Sequence, residues 1–312
     1  MDRGMGPVST PDRLVVALGG NTLLGAETPW TAEQQRSVIK QTADTLAASV
    51  SGDTDIVLTH GNGPQVGARL LQQEAAPETP RLSLDVLVAE TQAQIGYLLQ
   101  QALDNALATP AAFMTIVTQV VVDPDDPAFE APTKPIGPTY SDAEATEVPF
   151  ETHAVADGHR RVVPSPEPQS IVEGDEIARL VDAGRGVICA GGGGVPVVRD
   201  DGLRGVEAVV DKDKTSARLA RTLAADALVI LTDVPYAYLD YGGPTERPLE
   251  TVTPTVLREH LAAGAFPAGS MGPKVTACCR FVEDTGNRAI ITTPEDFADA
   301  LAGEAGTQVC PA

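Results

Sequence analysis

The sequence predicts an α/β protein: an open αβα sandwich on a mainly parallel central sheet, in two lobes with a protruding lid. Three observations lead there. Short apolar runs alternate with helical patterns, as in chains that cross back and forth over a parallel sheet. Three glycine clusters each follow such a run. One long proline-rich segment interrupts the alternation.

The predicted strands are "LVVAL" (14–18), "DIVLT" (55–59), "FMTIVTQVVVD" (113–123), "GVICA" (186–190), "EAVV" (207–210), "ALVIL" (227–231) and "RAIIT" (288–292). Each is a near-continuous apolar run, the pattern of strands covered on both faces. Helical periodicity fits 31–49, 84–107, 174–183, 214–225, 254–263, 273–284 and 294–302. The last opens with a threonine cap and a first-position proline, "TPEDFADAL". The leading "MDRGMGPVST" reads as a short disordered leader without an apolar targeting core.

From Val122 to Val172 the chain carries nine of its 25 prolines and no convincing alternation of elements. A stretch of this length inside a compact domain is a lid or small subdomain. Lobe boundaries follow: 12–205 with the lid at 122–172 inside it, then 206–312.

Charge narrows the function classes. Asp and Glu total 43 against 22 Lys and Arg, a net charge of −21. Such a surface repels nucleic acid and anionic membranes, and no apolar run reaches the ~18 residues of a membrane span. The carboxylates are scattered and only five of the basic residues are lysine, which fits a surface adapted to concentrated salt, where self-repulsion is screened. Cys189, Cys278, Cys279 and Cys310 show no metal-ligand or disulfide spacing, so a reducing cytoplasm is the expected compartment.

The glycine clusters "LGGNTLLG" (18–25), "HGNGPQVG" (60–67) and "AGGGGVPVV" (190–198) fall at the C-terminal ends of predicted strands. There, backbone amides approach an anion without a Cβ in the way, on the edge where open parallel sheets bind ligands. No lysine follows any cluster as a Walker loop requires. "GNGPQVG" is a residue too long for the dinucleotide fingerprint, and the candidate acid Asp85 sits in a helical pattern.

The lysines are Lys40, Lys134, Lys212, Lys214 and Lys274. Lys134 lies in the lid in "PTKPIGP", Lys212 follows "EAVV", and Lys274 ends the glycine turn "GSMGPK". Lys40 and Lys214 read as surface residues. In a chain that otherwise prefers arginine, three lysines in loops point to a need for compact ammonium groups. Phosphoryl transfer has that need, since catalysis there is mostly positioning and cationic stabilisation. Asp213, between Lys212 and Lys214, is placed to hold lysines by hydrogen bonds or to cap the helix that follows.

Together, "VVALGGNTLL", "VLTHGNGPQVG", "DPDDPAFEAPTKPIGPTY", "RRVVPSPEP", "AGGGGVPVV", "EAVVDKD", "ILTDVPYAYLDYG" and "FPAGSMGPKV" resemble the amino-acid kinase family, in its carbamate-kinase branch. The likeness spans about residues 14 to 293 in the family's order. It implies an amino-acid kinase fold, a homodimer, Mg²⁺ with ATP or ADP as co-substrate, and transfer between carbamoyl phosphate/ADP and carbamate/ATP, running toward ATP in arginine fermentation. The N-terminal lobe would bind carbamate or carbamoyl phosphate, the C-terminal lobe the nucleotide. The wider family has a lysine near Ala17, which carbamate kinases replace with a lid lysine, here Lys134. Lys212 and Lys274 would flank the phosphoryl group and Asp213 would organise them. Gly19, Gly20, Asn21, Gly61, Asn62 and Gly63 would donate to substrate oxygens. Thr232, Asp233, Tyr238, Met271 and Gly272 would surround the nucleotide, and no resident metal ligands are expected. His60 reads as a loop histidine that orients backbone. Two other readings stand beside this one: another small-acid kinase of the same family, and a nucleotide-binding regulator without turnover.

Overall fold

The computed structural model describes residues 11–24, 31–50, 54–109, 111–155, 157–267 and 269–312. The leader expected over 1–10 lies outside them, as does the side chain of Asn21. In chain order, β1 (Arg13–Leu18), α1 (Ala32–Ser49), β2 (Asp55–His60), α2 (Gly63–Ala75), α3 (Leu84–Ala106), β3 (Phe113–Thr115) and β4 (Gln119–Val121) come first. The proline-rich insertion holds β5 (Lys134–Tyr140), α4 (Asp142–Ala145), β6 (Thr152–Val155) and β7 (Gly158–Val163). Then follow β8 (Ser170–Ile171), α5 (Gly174–Asp182), β9 (Gly186–Ile188), β10 (Val195–Arg199) and β11 (Leu203–Gly205). The remainder is α6 (Lys212–Thr222), β12 (Ala227–Leu231), β13 (Ala237–Leu239), β14 (Arg247–Leu249) and β15 (Thr251–Val252). Last come α7 (Pro254–Ala262), α8 (Met271–Thr285), β16 (Arg288–Thr292), α9 (Phe297–Ala302) and β17 (Thr307–Val309).

The eight-stranded central sheet has the order β15-β17-β16-β12-β1-β2-β9-β3. All its pairings are parallel except β16 with β17. Strands from before residue 206 form one half of this order and strands from after it the other.

Successive side chains of a strand face opposite sides, and β1 shows the partition. Val15 and Ala17 pack into a core with α5, α6, α7 and α8. Leu14, Val16 and Leu18 pack into a second core with Ile39 of α1, Leu99 of α3 and Phe297 of α9. Every residue of 14–18 is therefore buried, which is why the strand reads as an unbroken apolar run. The result is the expected αβα sandwich.

A third core joins the lid to the body: Ile136 and Val163 of the lid meet Val66 of α2, with Val121 and Val197 beneath. The lid itself is the antiparallel sheet β5-β7-β6.

Three expectations about the elements fail. "EAVV" (207–210) is not a strand; its Ala208 and Val210 alternate inward like one, but the segment joins no sheet ladder. The run 113–123 is two strands, because the chain leaves the central sheet at Ile116–Thr118 and β4 pairs with β10 and β8 instead. The helix α2 was unforeseen, since "GPQVGARLLQQEA" opens on Gly-Pro and is largely polar.

Candidate active site

The loops after β1, β2 and β9 meet at one edge of the sheet because these strands are parallel neighbours, with β12 parallel on the other side of β1. They touch: a Cβ on Gly61 would stand 3.1 Å from the Gly20 nitrogen, so a side chain there would separate the loops. Two amides expected to serve a ligand are engaged otherwise. Gly19 N–H donates to the Leu231 carbonyl and Gly61 N–H to that of Leu18, each at 3.0 Å. Both close strand ends rather than face a ligand. Asn62 is buried, and its Nδ2 donates to Thr91 Oγ1 at 2.9 Å. Gly20 and Gly63 are the open positions: a Cβ on Gly20 would find only Pro64 Cδ, at 3.8 Å, and one on Gly63 nothing within 4 Å.

The helix α6 starts against this edge. Its cap is Asp211, not Asp213: Asp211 Oδ1 accepts from the amides of Asp213 at 3.0 Å and Lys214 at 3.3 Å. Sequence reading missed Asp211 by starting the helix at 214 and offering Asp213 as its cap, although Asp211 also stands before the helical run, where an aspartate is a capping signal. Gly193 fits against this turn with φ +89°, where a Cβ would overlap the Val210 carbonyl. Thr215 Oγ1 donates to the Gly193 carbonyl at 2.9 Å.

With the cap fixed, the charged groups fall into place. Lys212 Nζ donates to Asp213 Oδ1 at 2.5 Å. Lys274, from the first turns of α8, puts its Nζ 3.6 Å from Asp213 Oδ2 and 3.2 Å from the Ser270 carbonyl. Lys134, the first residue of β5, donates to Asp211 Oδ2 at 2.8 Å. Three lysines from three separate segments thus converge on two carboxylates two positions apart. Burial by itself would push the Asp211 carboxyl up, but the charges of Lys134 and Lys212 hold it below the usual carboxylate range. Lys214 is not the surface residue expected. It pairs, together with Arg280, with Glu167 in the segment that links β7 of the lid to β8.

His60 ends β2 fully buried, and its Nδ1–H donates to the Gly61 carbonyl at 3.0 Å. Burial lowers its pKa to about 4, with the nearby Lys212 charge adding to the effect. It is a neutral packing histidine beneath Gly191, where a Cβ would collide with its ring.

Beside the lysines lies a cavity of about 360 Å³. Gly19, Gly20, Thr232, Asp233, Tyr238, Met271 and Lys274 line it. Thr232 is fixed at the end of β12 by a bond from its amide to the Thr292 carbonyl at 2.9 Å. Gly272 is not part of the lining; its amide donates to the Pro267 carbonyl at 3.0 Å and shapes the turn into α8. Two cavities of about 780 and 680 Å³ lie elsewhere, beside α3 and at the opposite edge of the sheet. The 360 Å³ cavity is the one on the edge where open α/β sheets bind ligands.

The sequence profile of the amino acid kinase family matches residues 12–293. The chain belongs to the amino-acid kinase family. Within the family it is similar to the carbamate kinase of Halobacterium salinarum, 51% identical over 96% of this chain and 98% of that one. The carbamate kinase of Thermococcus kodakarensis is 46% identical over 95% of this chain and 98% of its own. The structure of carbamate kinase from Giardia lamblia bound to AMP-PNP superposes with a TM-score of 0.90 at 41% identity, covering 96% of this chain and 99% of that one. Family and kinase relatives together make it a phosphotransferase. The amino-acid kinase fold foreseen from the motifs is the fold observed.

Among the described residues no group of three His, Cys, Asp or Glu side chains could hold a metal ion, and no helix is long and apolar enough to cross a membrane.

Proposed function

We propose that the chain is a carbamate kinase, catalysing carbamoyl phosphate + ADP ⇌ carbamate + ATP. One observation carries the reading: Lys134, Lys212 and Lys274 converge on the carboxylates of Asp211 and Asp213, and one of the three, Lys274, also lines the cavity of about 360 Å³. In the ATP-forming direction a β-phosphate oxygen of ADP attacks phosphorus. The bond to the carbamoyl oxygen breaks and carbamate departs with its electrons. Charge spreads over the three transferred oxygens, and ammonium groups stabilise it. Carbamate leaves ionised, so no general acid is required, and His60 has no part in the chemistry.

The nucleotide occupies the cavity lined by Thr232, Asp233, Tyr238 and Met271, with Gly272 fixing the turn that leads into α8. The small substrate lies toward Gly20, Asn21 and Gly63, under the lid. Division of labour follows the lobes, 12–205 for the small substrate and 206–312 for the nucleotide. Mg²⁺ typically takes one or two carboxylates and completes its shell with phosphates and water. The donor set here, two aspartates already engaged by lysines, fits an ion carried mainly by the nucleotide phosphates. When bound, it would neutralise phosphate charge.

The reading extends to a cytoplasmic, salt-adapted homodimer that forms ATP in arginine fermentation. The net charge of −21 supports the salt adaptation. The edge strand β3, with Met114 and Val117 exposed beside Tyr97 of α3, supports self-association.

A substrate panel tests it. With MgADP, carbamoyl phosphate should yield ATP far faster than the phosphorylated forms of an acylated amino acid or an alcohol. Preference for one of those would make the chain another kinase of the family. Nucleotide binding without ATP from any donor would make it a regulator.

A further inference from the structure

We propose that Asp211 is a positioning residue for the lid lysine: it holds the Lys134 ammonium over the phosphoryl site before the substrate arrives. The inference rests on the carbamate-kinase reading.

The two oxygens of this carboxylate have separate tasks. Oδ1 accepts from the backbone amides of Asp213 and Lys214, which fixes the side chain on the first turn of α6. Oδ2 is thereby aimed away from the helix, and Lys134 Nζ meets it at 2.8 Å. The same turn carries Lys212 and Asp213. Asp211 therefore registers a lysine from the lid to the rigid element that carries the other phosphoryl-binding groups.

Such a device is needed because Lys134 is the most exposed of the three. Its side chain retains 35% of its accessible surface, against 12% for Lys212 and 15% for Lys274. Without a partner its four-carbon stem would be free to swing into solvent, driven by repulsion from two neighbouring ammonium groups. The Asp211 side chain is only 10% exposed, so the pair is screened less than one at the surface. An ammonium has three donors, and one on Asp211 leaves two for phosphoryl oxygens. The backbone on both sides is stiffened, since Lys134 precedes Pro135 and follows Pro132 by two positions.

The test is a double-mutant cycle in the full chain, with Asp211→Asn and Lys134→Ala. Asparagine caps a helix about as well as aspartate, so D211N removes the charge and keeps the turn. Asp211→Ser, another good cap, repeats the cycle independently. In D211N, kcat for ATP formation should fall ~10-fold or more while KM for MgADP stays unchanged. On the Lys134→Ala background the same substitution should slow the enzyme no further. Reductions that multiply, or a fully active D211N, would overturn the proposal. So would failure of both Asp211 variants to fold, since the role would then be structural. Hydrogen exchange over β5 needs no substrate and separates the two claims. It should quicken equally in D211N, Lys134→Ala and the double variant. That pattern in a protein making no ATP from carbamoyl phosphate would retain the positioning role and discard the kinase reading.

Discussion

Lys212 and Lys274 approach opposite oxygens of one carboxylate from two different helices: Lys212 Nζ stands 2.5 Å from Asp213 Oδ1 and Lys274 Nζ 3.6 Å from Oδ2. Asp213 is nearly buried, so its charge is the main local compensation for two ammonium groups held side by side. Replacing it by asparagine keeps the shape and leaves the lysines to repel each other. Asp213→Asn should lower kcat ~100-fold, the scale of losing one electrostatic contact to a transition state. Steady-state ATP synthesis, with circular dichroism to show an intact fold, checks this.

His60 makes stability depend on pH. Its pKa falls from 6.5 in the unfolded chain to about 4 when folded. Between those values the unfolded chain binds the extra proton, so stability drops as pH falls through that window. The loss should reach about 3 kcal/mol by pH 4. Urea melts at pH 7 and pH 4.5 should show it, and a His60→Gln variant should show a much smaller difference between the two.

Gly193 and Gly184 both have positive φ, +89° and +74°, but only the first is crowded. An alanine at Gly193 would press on the Val210 carbonyl just before the Asp211 cap, whereas Gly184 has open space around it. Gly193→Ala should cost about 3 kcal/mol or more, from strain plus overlap. Gly184→Ala should cost only the ~1–2 kcal/mol of left-handed backbone. Paired denaturation midpoints would show the contrast.

Glu167 ties the outgoing stem of the lid to α6 and α8 through Lys214 and Arg280. Burial would raise its carboxyl, but these two partners hold it below the ordinary range. All three side chains are partly exposed, so salt should screen the tie. Glu167→Gln should quicken hydrogen exchange over 164–169 in dilute buffer, and the difference should shrink in molar KCl.

What was legible in the sequence follows from burial. Strands 14–18, 227–231 and 288–292 are covered on both faces and spell out apolar runs. The glycine loops could be placed because they follow such strands. The lid strands could not, since β6 is half exposed and β7 opens on the polar, half-buried residues Gly158–Arg161, so neither carries an unbroken apolar run. Segment 207–210 has the alternation of a strand, but Val209 N–H to the Pro164 carbonyl is an isolated bond and no ladder forms, a fact decided by distant chain. Scarcity made the three lysines proposed for catalysis visible, three of five in the chain. Their partner Asp211 was hidden because its role arises from a lid 77 residues away in sequence.

Lys134 is the group on which the proposed chemistry most depends, and it can be tested alone. Wild type and Lys134→Ala would be compared for ATP formation from carbamoyl phosphate and MgADP in molar KCl. Rapid synthesis by wild type that falls ~1000-fold in the variant is the expected result. Equal rates in the two proteins would contradict the role given to the lid lysine.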